Sequence, residues 1–113
     1  MSTDADRTWL TVPDLAERLG LTPSRVRRLI EDHHLIAVRR DGVLVVPEVF
    51  LGDEGPLPEL RGTLILLADN GFSDDEAVSW LLEEDDALGV APIDALHAGR
   101  KAEVRRVAQA LAF

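Results

Sequence analysis

The chain has no cysteine among its 113 residues, which excludes disulfides and thiolate chemistry. No apolar run approaches the ~20 residues that a membrane span requires. The first residues, MSTDADRT, are acidic and carry no apolar segment, so no signal peptide is expected and a cytoplasmic location fits. Catalytic equipment is equally sparse. There is no glycine-rich phosphate loop; Gly20, Gly42, Gly52 and Gly55 each suit a turn. The carboxylates are numerous but fall in solvated clusters, with no pair placed across an apolar pocket. His33 and His34 are adjacent and point in different directions, neither has a second ligand at helical spacing, and His97 reads as a helix-surface residue. No catalytic residue, cofactor site or metal site is expected, and the chain is not read as an enzyme.

What is present is a sharp division of charge. The formal net charge is −9, which taken whole argues against a nucleic-acid partner. Between Arg18 and Arg40, however, six arginines face only Glu31 and Asp32, a net of +4. Between Asp41 and Ala98, fourteen acids face Arg61 alone, a net of −13. A strongly acidic protein with one arginine cluster has one face for a polyanion, and the acidic remainder orients the approach. The length suits one domain or two small subdomains sharing a core.

The arginine cluster sits in the stretch TVPDLAERLGLTPSRVRRLI, Thr11 to Ile30. Thr11 and Asp14 have capping-box spacing, and Leu15, Ala16 and Leu19 follow at helical intervals. Gly20 ends this helix, because the left-handed C′ position favours a residue without Cβ. Thr22 caps a second helix with Pro23 at its first position. Val26, Leu29 and Ile30 form the inner face of that helix, and Arg25, Arg27 and Arg28 point outward. A small residue in the first helix, a glycine in the turn and a branched apolar residue in the second are the three conditions of a helix-turn-helix. Ala16, Gly20 and Val26 meet them in register.

The next segment, LIAVRRDGVLVV, is rich in β-branched residues and split by Asp41-Gly42, a strong hairpin signal. A type I′ turn there pairs Arg40 with Val43, Arg39 with Leu44 and Val38 with Val45, leaving Arg39 and Arg40 at the tip. A helix-turn-helix followed by a hairpin with a basic tip is a winged helix-turn-helix. Val49, Phe50 and Leu51 then pack back on the wing. Gly52 to Glu59, GDEGPLPE, reads as a linker.

The second half is helical. Leu60 to Asn70 carries a broad apolar arc, with Ile65 and Leu66 widening it, and Asn70-Gly71 stops it. Ser73 and Glu76 form a second capping box. The helix that follows ends near Glu84, where the acidic run Glu83 to Asp86 marks a solvated helix end. Pro92 opens a last helical region, interrupted at Gly99, whose apolar face continues through Val104, Val107, Ala108 and Leu111. The organisation is therefore a flexible tail (1–8), a winged helix-turn-helix (9–51), a linker (52–59) and a C-terminal helical subdomain (60–113), mainly α with one small β-hairpin.

Residues 11–51 resemble winged helix-turn-helix regulators of the MerR and excisionase type. Over most of its length the chain is also similar to a small actinobacterial DNA-binding family with a mycobacterial kinase substrate among its members. The stretches that carry this are Asp14 to Gly20, Leu35 to Arg40, Pro47 to Phe50, Trp80-Leu81 and Pro92 to Ala98. The resemblance implies DNA binding and regulation by a Ser/Thr kinase acting on the tail. Trp80-Leu81, Leu88-Gly89, Pro92 to Leu96, Gly99 and Val104 also resemble the toxin-binding domain of some antitoxins, which implies a protein partner for the C-terminal helices.

The expected partner is double-stranded DNA, and the expected role is that of a transcriptional regulator or nucleoid-associated factor. Ser24, Arg25 and Arg28 lead on the second helix as base or phosphate contacts. Arg27 faces the backbone, Arg39 and Arg40 are wing contacts, and Arg18 holds a flanking phosphate. Trp9 is expected on the core rather than on a base. Among the tail hydroxyls, Thr3 and Thr8 are the expected phosphoacceptors. The alternative reading is a protein-interaction module whose C-terminal helices, residues 60–113, hold a second copy or another protein.

Overall fold

The capping chemistry sets the first helices. In a computed structural model, which describes residues 7–111, the chain begins with strand β1 (Trp9–Thr11) and helix α1 (Val12–Leu19). The Thr11 hydroxyl accepts from the Asp14 amide and the Asp14 carboxylate accepts from the Thr11 amide, both at 3.2 Å. Gly20 closes the helix at φ 68°, a left-handed conformation that costs glycine nothing. Helix α2 (Pro23–Glu31) starts on a Thr22 cap and ends on Asp32, followed by His33, which is left-handed at φ 66°.

Strands β2 (Val38–Arg40) and β3 (Val43–Pro47) form the wing in the expected register, Val38 to Val45, Arg39 to Leu44 and Arg40 to Val43. Both turn residues take positive φ, 53° at Asp41 and 80° at Gly42, as a type I′ turn requires. The hairpin is not alone, however. β1 pairs antiparallel with the far side of β3, Trp9 opposite Pro47 and Thr11 opposite Val45, so the sheet has three strands in the order β1-β3-β2. Three residues are too few for an alternating pattern to announce a strand; only the free edge of β3 defines it.

The segment expected as a linker folds as well. A one-turn 3₁₀ helix (Glu48–Phe50) leads into β4 (Leu51–Gly52) and β5 (Gly55–Pro56), a second, two-residue hairpin turning at Asp53-Glu54. Leu57 is buried, and its amide donates to the Phe50 carbonyl at 3.0 Å. Within the segment expected as a tail, residues 7 and 8 are bonded to the rest of the fold. Arg7 is mostly buried, donating to Asp94 at 3.2 and 3.4 Å and to the Leu82 carbonyl at 3.3 Å. The Thr8 carbonyl accepts from the Glu48 amide at 2.8 Å.

Four helices complete the molecule: α3 (Leu60–Asp69), α4 (Asp74–Leu82), α5 (Pro92–His97) and α6 (Lys101–Ala110). The Ser73–Glu76 capping box forms at α4, with Glu76 accepting from the Ser73 amide at 2.9 Å. Gly99 divides α5 from α6 at φ 81°. Ile65 and Leu66 are half-buried, and Leu111 is exposed at the end of the apolar face. The acidic run after α4 is not simply solvated. Asp85 accepts from the Trp80 indole at 3.3 Å and from the Ala87 amide at 2.8 Å, and its backbone bridges to Val90. One hydrophobic cluster runs from Val12 and Val26 through Val46 and Phe50 to Leu81, Ile93 and Val104. The radius of gyration, 13.4 Å, is that of a single domain of this length. Besides Arg7, two more polar clasps join the halves: Arg61 donates to the Asp32 carbonyl at 2.9 Å, and His97 Nε2 lies 2.7 Å from the Val49 carbonyl oxygen.

Candidate nucleic-acid interface

The site is built from α2 and the wing. Ala16 is buried where α2 crosses α1, and the Leu21 amide returns to its carbonyl at 2.9 Å, so the two helices meet through a turn that bulky residues would force apart. Val26 is wholly buried and anchors α2 from beneath. Every other position from Thr22 to Arg28 is exposed. One helix thus offers a continuous polar surface held by a single deep apolar side chain.

The arginines of that surface divide into two groups. Ser24, Arg25 and Arg28 together line a shallow depression of about 360 Å³ on the outer side of α2. Arg27 points the other way. With Arg39, Leu44, Thr11 and Pro13 it lines a groove of about 350 Å³ between α2 and the wing. The structure therefore separates Arg27 from its neighbours and places it beside a wing arginine 12 positions away in sequence. Arg39 also donates to the Gly42 carbonyl at 3.3 Å, which folds its guanidinium over the turn.

Arg40 holds the tip position expected of it, opposite Val43, but its side chain reaches Trp9. Its guanidinium crosses the central strand and lies 4.2 Å from the centre of the Trp9 ring, a cation–π contact that orients the group without neutralising it. Trp9 is half-buried against the core, as expected, and supplies this platform as well. Arg18 also has a partner that the sequence reading missed. It forms an ion pair with Glu48 at 2.6 Å, with side chains 51% and 38% exposed. Such an exposed pair contributes only ~0–1 kcal/mol. It nevertheless takes Arg18 out of the set of unpaired cations. Neither partner could be read locally, because Trp9 and Glu48 are brought in by the β1-β3-β2 sheet and the turn after it.

Among the described residues, Arg25, Arg27, Arg28, Arg39 and Arg40 form no ion pair. Five exposed, unpaired cations on α2 and the wing stand out in a protein of net charge −9. Thr8 is exposed, one residue before Trp9; Thr3 lies outside the described residues. Among the described residues, no group of three or more His, Asp or Glu side chains is placed to hold a metal ion, and no helix is long and apolar enough to cross a membrane.

Two tightly crossed helices, a basic second helix and a three-stranded wing define a winged helix-turn-helix protein. The comparisons with known proteins specify the kind. Residues 2–51 match the family model described as the DNA-binding protein Rv2175c winged helix-turn-helix domain, and residues 57–112 match the Rv2175c C-terminal domain of unknown function. The chain is 37% identical to the DNA-binding protein Rv2175c of Mycobacterium tuberculosis, over 97% of this chain and 84% of that protein. The NMR structure of Rv2175c superposes with a TM-score of 0.87 at 36% identity, covering 97% of this chain and 84% of that one. The chain belongs to the Rv2175c family.

Proposed function

We propose that this protein binds double-stranded DNA through its winged helix-turn-helix, acting by binding rather than by catalysis, as a transcriptional regulator or nucleoid-associated factor in the cytoplasm. α2 enters the major groove with Ser24, Arg25 and Arg28 leading. Arg27 and Arg39 bracket a phosphate strand across the groove between helix and wing, and Arg40 meets the adjoining backbone from its seat on Trp9. Arg18 joins a flanking phosphate only by leaving Glu48. The observation that carries this reading is that Arg25, Arg27 and Arg28 of α2 and Arg39 and Arg40 of the wing are all exposed and outside any ion pair among the described residues, with Arg27 and Arg39 lining one groove between helix and wing. The family name supports it: the relative that shares 37% identity is described as a DNA-binding protein.

The test is a fluorescence-anisotropy titration with mixed duplex DNA over a salt series. Five phosphate contacts predict a slope of about −4 to −5 in log K against log salt. Arg25→Ala with Arg28→Ala removes two of them, lowering affinity at least tenfold and flattening the slope by about 2. Absence of binding by the unmodified protein at low salt would overturn the proposal.

The same reading gives Thr8 a regulatory part. A Ser/Thr kinase that phosphorylates it adds about −1.5 to −2 charge next to Trp9 and its guanidinium partner Arg40, so the modified protein releases DNA. A homodimer formed through residues 60–113 would present two such faces to adjacent half-sites, and sedimentation with and without DNA distinguishes it from a monomer.

A further inference from the structure

The segment from Asp41 to Ala98 holds fourteen acids and a single arginine or lysine, Arg61. Arg61 stands exposed on the first turn of α3, and among the described residues it pairs with none of those acids. Its Nε donates instead to the carbonyl of Asp32, the residue that ends α2, at 2.9 Å. A guanidinium carries five N–H donors in a fixed fork. This bond uses one of them, and the four on Nη1 and Nη2 have no partner among the described residues.

The position of that fork relative to α2 gives it a use. Asp32 follows Arg28 by four residues, one helical turn, and Arg28 follows Arg25 by three, so the three share one stripe of the helix. At 1.5 Å per residue, Asp32 lies about 6 Å beyond Arg28 along the axis, less than two base steps of ~3.4 Å on a DNA strand. A helix seated in the major groove ends at the backbone that borders it; the C-terminal end of a homeodomain's reading helix makes such a contact. By itself the end of α2 would repel a phosphate. Its last carbonyls are the negative end of the helix dipole, and Glu31 and Asp32 are exposed there with no ion pair among the described residues. Arg61 brings a cation to this point and is held there by the Asp32 carbonyl.

We infer that Arg61 is a DNA-backbone contact supplied by the C-terminal half, its Nε seated on the end of α2 and its Nη groups donating to a phosphate beyond Arg28. The segment 57–112, which matches a domain model of unknown function, thereby completes the binding face of the winged helix-turn-helix. The contact is to phosphate, so it adds affinity and fixes register without choosing a base. The inference rests on the DNA reading of α2 and the wing.

The test is the anisotropy salt series on the full chain carrying Arg61→Gln, Arg61→Lys or Arg106→Gln, with a denaturant midpoint for each. Arg61→Gln should lower affinity about three- to tenfold at low salt and flatten the slope by about 0.9, equally on duplexes of different sequence. Arg61→Lys keeps the charge and should keep most of the slope, although it loses the Nε bond. Arg106 is exposed on α6 and lines a groove with Glu84, Asp85 and Asp86, so Arg106→Gln should change neither affinity nor slope. An arginine that served only to clasp the halves would give the reverse pattern: both Arg61 variants would lower the midpoint and neither would move the slope. Equal slopes for the unmodified chain and Arg61→Gln, or the same flattening in Arg106→Gln, would overturn the inference and leave the winged helix-turn-helix reading standing. Absence of binding by the unmodified chain would overturn that reading and this inference with it.

Discussion

Helices α2 and α5 use their residues in opposite ways. Of the nine residues of α2, only Val26 is buried. Of the six of α5, four are: Pro92, Ile93, Ala95 and Leu96. α5 is a strut inside the acidic half, and its sequence is committed to packing. α2 is a platform: Val26 anchors it, Leu29 and Ile30 pack half-buried beside it, and the rest of its surface is exposed. The division is between these two helices and not between the halves: α1, beside α2, buries Val12, Leu15 and Ala16, while α6, beside α5, buries only Val104 and Ala108.

That contrast can be broken from the packing side first. Ile93→Ala removes a wholly buried side chain from the strut and should destabilise the fold by ~2–5 kcal/mol, seen as a lower denaturant midpoint. Arg25→Ala with Arg28→Ala should leave stability within ~0.5 kcal/mol per site while lowering DNA affinity at least tenfold. A large stability loss in the arginine variant would mean that α2 is a packing element too.

A smaller effect tests the caps that hold the platform. Thr11→Ala removes the oxygen that accepts from the Asp14 amide and should cost ~1 kcal/mol. Because Thr11 also pairs with Val45 in the sheet, the amides of β1 and α1 should lose hydrogen-exchange protection together. Smaller again is the effect of charge at the wing tip. Asp41 places a carboxylate in the turn between Arg40 and Gly42, on the face proposed for DNA. Asp41→Asn keeps the left-handed turn, since Asn-Gly suits it equally, and should tighten binding a few-fold at low salt, the gain fading as salt screens it.

The smallest expected effect belongs to the acidic half. Arg100 donates to Glu103 at 2.7 and 3.2 Å. This hydrogen-bonded pairing holds the Glu103 carboxyl below its usual range and raises the guanidinium. A carboxyl depressed in the folded state contributes stability above its unfolded pKa and loses it as pH falls through the folded value. Glu103→Gln should therefore narrow the stability difference between neutral and acidic pH only slightly, as measured by thermal melts, because the pair is exposed.

Much of the interface was legible without coordinates, and the reason is local. Thr11 with Asp14, Gly20, Thr22 with Pro23 and Asp41-Gly42 each act through hydrogen bonds or dihedral angles that span four residues or fewer. Residue types at such spacings determine the two helices, the turn between them and the wing register down to the Arg40–Val43 pair. The positions of Ser24, Arg25 and Arg28 follow from helical geometry alone. The chain by itself thus determined which side chains stand outward.

Tertiary structure decided which of them are available and what lies beside them. Glu48 reaches Arg18 across 30 positions, and Trp9 reaches Arg40 across the sheet. Arg7 reaches Asp94 across 87, turning the end of an expected tail into a clasp on the last helices. The supposed linker folded because Leu57 could be buried and Gly55 could pair with Gly52. None of these partners is marked by spacing, because pairings across tens of residues depend on how the apolar faces stack. Once that stack is complete, it selects the partners from chemistry that the chain displays at many other places.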